Sequence, residues 1–132
     1  MKKFNESSII NLIGIIIRAL LIFVIFAQLA YTLYHITVTI RQGFEEFIDS
    51  TIIDTLLVLV LLEIYLGIAD YIKGTGRTVV YVIDATISYL VREIVIQALN
   101  PQGLTMTTII AYAGGVLALA ASRFLISRTT QK

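Results

Sequence analysis

Among the charged side chains that fall inside long apolar stretches of this sequence, Asp54, Glu63, Asp84, Arg92 and Glu93 are the candidates for a site. An ionisable group at the centre of a bilayer costs at least ~2.5–3.5 kcal/mol on insertion scales, so each is expected to face protein or water. Glu63 is the deepest. It lies eleven residues past Ile52, where its stretch begins, and at 1.5 Å per residue that is roughly 16 Å into the membrane. Val60, Glu63, Gly67 and Asp70 share one helical face, small and polar in a stretch otherwise made of Leu, Ile and Val. In the next stretch Asp84, Ser88 and Arg92 recur every four residues and form a second polar stripe. Arg92 has a side chain long enough to reach inward, and Glu63 is its expected partner, with Asp54 second. Asp54 projects opposite to Glu63, because nine residues turn a helix by about 180°. One arginine therefore does not hold both within a subunit. Glu93 points elsewhere, toward another subunit, and Arg18 with Asp84 is a further candidate pair toward the inner side.

Two kinds of work suit these residues. A deep carboxylate titrates or binds a cation, and a guanidinium tunes it or binds an anion, which is the equipment of ion, proton or small-solute permeation or transport. The alternative is a non-transporting structural or regulatory membrane protein in which Glu63 and Arg92 form a packing ion pair. An enzyme is not expected, since no nucleophile–base set is apparent. The chain has no cysteine and one histidine, His35, so thiolate chemistry and a histidine-built zinc site are excluded and neither metal nor cofactor is expected. His35 reads as an interfacial polar residue. A net charge of +1 gives no nucleic-acid footprint. The segment Lys73-Gly74-Thr75-Gly76-Arg77 lacks the spacing of a phosphate-binding loop. It reads as a basic turn able to attract anionic lipid headgroups.

The elements that must position these groups are set by composition. The chain of 132 residues is 58% apolar and only 14% charged, with a mean hydropathy of +0.89. That balance indicates a single membrane domain whose partner is the lipid bilayer. Four apolar stretches are long enough to cross, at about 9–40, 52–72, 78–99 and 106–126. Apolar and polar residues do not alternate, so a lipid-facing barrel fits poorly. The first stretch is too long for a signal peptide and is expected to be retained. The Asn100-Pro101-Gln102-Gly103 turn ends the third.

Four crossings place both termini on one side. That side then holds eight of the ten Lys and Arg residues, leaving only Arg41 and Arg92 opposite. The positive-inside rule makes the termini cytoplasmic and puts an acidic first loop (Glu45, Glu46, Asp49) outside. Tyrosines 31, 34, 71, 81 and 112 fall near helix ends, as an aromatic belt does. In the fourth stretch Gly114, Gly115, Ala118 and Ser122 mark a packing face, inside the bundle or between subunits. The expected fold is an all-α integral membrane protein of the cell membrane. It is a bundle of four transmembrane helices, assembled as a homo-oligomer, with a dimer favoured.

The stretch from Ile53 to Arg123 resembles the phosphate-starvation-inducible protein E (PsiE-like) family. The resemblance rests on Leu62-Glu63-Ile64 followed by Asp70-Tyr71, on Tyr89-Leu90-Val91-Arg92-Glu93-Ile94-Val95, and on the order of four spans in a chain of this size. It departs at Gly74-Thr75-Gly76-Arg77, where the family has a His-Phe-Pro-like segment and an arginine at the start of the third span. The resemblance puts Glu63 and Arg92 at the family's characteristic charged positions. It implies expression under phosphate limitation and no defined activity.

Overall fold

A computed structural model describes residues 2–100 and 105–130, with side chains over 6–100 and 105–129. The chain forms four helices: α1 (Lys2–Thr39), α2 (Phe44–Lys73), α3 (Thr78–Leu99) and α4 (Met106–Thr130). The expected all-α fold is present. Three helices, α1, α2 and α4, are long and apolar enough to cross a membrane. α3 is long enough but not apolar enough, because Asp84, Arg92 and Glu93 lie within ten residues of one another.

Two boundaries differ from the expected spans. α1 begins at Lys2 and not near Ile9, and α2 begins at Phe44 and not near Ile52. Glu45, Glu46 and Asp49 therefore belong to the first turns of α2 and not to an acidic loop. The unpaired amides at a helix N-terminus favour carboxylates there, so the acid run extends the helix. Only residues 40–43 connect α1 to α2. α2 stops at Gly74, whose left-handed backbone (φ 69°) lets its N–H reach the Asp70 carbonyl at 2.9 Å. α3 ends at Leu99, as expected, with the Asn100 N–H on the Gln97 carbonyl. Residues 101–104 of the expected turn lie outside the described residues.

Packing follows chain order. α1 lies on α2, α2 on α3 and α3 on α4, and no other pair of helices makes contact among the described residues. The expected bundle is therefore open, with α1 and α4 at its two margins. Exposed apolar side chains dominate the outer surfaces, and the buried set is small: Ile25, Val60, Ile83 and Ala85 with Gly14, Gly67, Thr32, Thr39, Asp54 and Asp70. Most of these are small or polar, as in membrane helices, where polar and small groups face protein and apolar ones face lipid.

The margin helix α1 shows this inversion clearly. Between Glu6 and Thr39 the residues withdrawn from the surface are Gly14, Arg18, Leu21, Ile25, Gln28, Thr32, His35, Ile36 and Thr39. Apart from Ile36, their spacing alternates four and three. A period of 3.5 is the seam of left-handed knobs-into-holes packing. At one end Gly14 admits the Ile72 side chain of α2 where any Cβ would collide with it. On the far flank α4 turns Thr108, Tyr112, Gly115 and Leu119 toward α3. A Cβ at Gly115 would sit 3.3 Å from Leu90 Cδ1, whereas one at Gly114 would meet nothing within 4 Å.

The absence of native cysteine makes this packing testable. Leu90→Cys with Gly115→Cys is expected to form an intrachain disulfide under mild oxidation, because the two side-chain positions are adjacent. Leu90→Cys with Gly114→Cys is expected to form little. Equal yields from both pairs, read on non-reducing gels, would refute the assignment of the α3–α4 face.

Candidate polar site

α3 is flanked by α2 and α4, and its polar stripe meets both. The antiparallel α2–α3 register is fixed at three levels. Thr78 Oγ1 donates to Asp70 Oδ2 at 3.1 Å, Gly67 lies under Tyr81 where an added Cβ would sit 3.2 Å from the Tyr81 Cβ, and Ser88 Oγ donates to Glu63 Oε2 at 2.8 Å. On the other flank Arg123 of α4 donates from Nε to Asp84 Oδ1. Asp84 and Ser88 are one helical turn apart on α3, so the Glu63–Ser88 and Asp84–Arg123 pairs are neighbours in one cluster drawn from three helices.

Two expected pairings are corrected by this register. Arg92 does not reach Glu63. It lies four residues beyond Ser88, roughly 6 Å along the axis, so it is set past the Glu63 level. Its Nη1 donates to Glu93 Oε1 at 3.3 Å, the neighbouring residue on its own helix. Arg92 Nε is buried without a hydrogen-bond partner. Arg18 does not pair with Asp84 either, because α1 makes no contact with α3 and Arg123 occupies the Asp84 carboxylate.

Asp54 has a different partner. It is buried, 9% exposed, and its Oδ2 lies 3.0 Å from His35 Nδ1 of α1. The Tyr31 ring stacks on the imidazole at 5.4 Å. Asp54 therefore faces α1 while Glu63 faces α3, as their opposite projection on α2 requires. His35 is a partner in the α1–α2 seam as well as a polar residue near a helix end.

The small residues of α4 divide between two faces. Gly115 is turned toward α3, whereas Gly114, Ala118 and Ser122 are exposed. Among the described residues no group of three or more metal-ligating side chains comes together.

The model of the phosphate-starvation-inducible E family matches residues 9–131. The chain belongs to that family. The match takes in α1 as well as the part, Ile53 to Arg123, on which the resemblance in sequence rested. No curated protein matches the chain, and no solved structure does.

In this member of the phosphate-starvation-inducible E family, hydrogen-bonding side chains run almost the whole length of α3. Thr78, Tyr81, Asp84, Ser88 and Arg92 follow one another at intervals of three or four residues. From Thr78 to Arg92 the line covers fifteen residues, roughly 21 Å of rise, a length comparable with most of a ~30 Å hydrocarbon core. Sequence reasoning found the α3 stripe but missed Arg123 as its cation and missed the α1 seam. The signal for the seam was present: Gly14, Arg18, Gln28, Thr32, His35 and Thr39 keep the four–three rhythm within an otherwise apolar helix.

Proposed function

We propose that this family member is a multi-pass protein of the cell membrane that carries ions, protons or a small solute along the polar face of α3. In this reading α3 crosses together with the other three helices and both termini are cytoplasmic. The observation that supports it is the line of polar side chains on α3 from Thr78 to Arg92, joined from the flanking helices by Glu63 and Arg123. Hydrocarbon penalises each such group, so a line of them suits a path that water or a solute enters. Glu63 is the group that meets the transported species. Asp84 and Arg123 set the field around it, and Arg92 with Glu93 forms the next polar station. Asp54, paired with His35, holds α1. The open margins of the array are closed in a homo-oligomer, a dimer in the simplest case. No enzymatic step is assigned, and no cofactor or metal is required.

A second reading rests on the Asp84–Arg123 pair, which ties α4 to α3. There the charges only fix helix association. Flux separates the two. Proteoliposomes holding the wild type are expected to pass protons or small ions, and Glu63→Gln, still monodisperse in detergent, is expected to lose most of that flux. Arg92→Gln is expected to alter its rate or selectivity. Wild-type vesicles as tight as empty ones, with Glu63→Gln dissociating or unfolding, would replace transport by the structural reading.

A further inference from the structure

A groove of about 560 Å³ opens between α1, α2 and α3, away from the charged cluster. Its floor is α2, with Ile64 and Ile68. α1 contributes Ile13 and Ile17, and α3 contributes Val82 and Tyr89. Thr78 and Thr86 also border it, but both hydroxyls are already engaged, Thr78 with Asp70 and Thr86 with the Val82 carbonyl. Tyr71 and Tyr89 line it as well, and the rest of the surface is aliphatic, so the groove suits an apolar chain. Its α2 side runs from Val60 to Ile72, roughly 18 Å of rise. One leaflet of hydrocarbon is about half of ~30 Å deep. The groove thus matches the depth of a single leaflet, and it starts at the α2–α3 turn.

That turn carries charge. Lys73 directly follows groove residue Ile72, and Arg77 directly precedes groove residue Thr78. Both are exposed, and neither forms an ion pair among the described residues. We propose that the groove holds one acyl chain of an anionic phospholipid whose headgroup phosphate is held by Lys73 and Arg77. The two halves of the site fit one molecule: an apolar slot one leaflet deep, and two cations at its polar end. Anionic lipids enrich the cytoplasmic leaflet, where the basic side of this chain is expected to lie. A free phosphate would use the cations and leave the groove unoccupied. A second copy of this chain would use the groove and gain nothing from the cations.

The test is native mass spectrometry of the whole protein in detergent, offered phosphatidylglycerol and phosphatidylcholine of the same chain length. Wild type is expected to retain phosphatidylglycerol preferentially. Lys73→Gln with Arg77→Gln removes two cations at roughly fivefold each. That variant is expected to lose roughly 25-fold in phosphatidylglycerol affinity while holding phosphatidylcholine as before. Val82→Trp fills the slot from a position 56% exposed, which leaves the helix contacts intact, and is expected to lose both lipids. Thr86→Trp, at a second exposed lining position, is expected to do the same.

Three results would overturn the proposal. The first is a phosphatidylglycerol preference untouched by the double neutralisation. The second is retention untouched by both tryptophans, or a change of oligomeric state in their place. The third is displacement of phosphatidylglycerol by inorganic phosphate, which would make the turn a phosphate site.

Discussion

His35→Leu is expected to lower stability by about 3 kcal/mol, and His35→Leu combined with Asp54→Leu is expected to recover most of that loss. The argument turns on the Asp54 carboxylate. It is buried in the α1–α2 seam, and His35 is the partner the structure gives it. Removing one member of a buried charged or hydrogen-bonded pair costs roughly 3–5 kcal/mol, because the other stays desolvated without compensation. The low end applies here, since 33% of the His35 side chain remains accessible. Replacing both by leucine leaves no polar group behind, and such exchanges are often neutral. Equilibrium unfolding of the four proteins in mixed micelles closes a double-mutant cycle. Strictly additive losses would show that the two side chains do not interact.

The other large effect concerns glycine. Gly67→Leu is expected to destabilise by about 3 kcal/mol, the upper range for overpacking, whereas Gly114→Leu is expected to stay within about 0.5 kcal/mol. A Cβ at Gly67 would lie 3.2 Å from Tyr81 Cβ. That neighbour is anchored directly to the α3 backbone and has no torsion by which to retreat, so α2 and α3 must separate. Gly114 faces open space within the chain. Its substitution therefore reports on other molecules alone. If the exposed Gly114, Ala118 and Ser122 face joins two copies, Gly114→Leu shifts analytical ultracentrifugation from dimer toward monomer without changing monomer unfolding. An unchanged dimer would move the interface to another surface.

The helices themselves were legible because hydrocarbon imposes a length and a composition that few other constraints mimic. The polar face of α2 and the stripe on α3 were legible for the same reason, since a charge inside an apolar run is conspicuous. Partner choice was not. Glu63 and Arg92 are the boldest charges in their helices, yet the axial offset between α2 and α3 decides which residues meet, and Ser88 holds the position opposite Glu63. A shift of one helical turn, invisible in either segment alone, exchanges one partner for the other. Arg123 was read as a charge of the cytoplasmic side, so its reach to Asp84 had no signature within α4. The early start of α2 was obscured because Glu45, Glu46 and Asp49 look like loop residues to a hydropathy argument and like first-turn residues to a helix-dipole argument. The second describes the molecule.

The Asp84–Arg123 pair also has a consequence in time. Its members are 39 residues apart, and a ribosome makes them in that order. The third helix thus leaves the exit tunnel with its acid unmatched, and its cation arrives only when the fourth helix is nearly complete. Until then the segment least suited to lipid has its strongest reason to linger at the aqueous edge of the insertion machinery. On the proposed four-crossing topology, insertion of this chain is expected to run in two steps, with α1 and α2 committed early and α3 settling together with α4 once Arg123 has emerged.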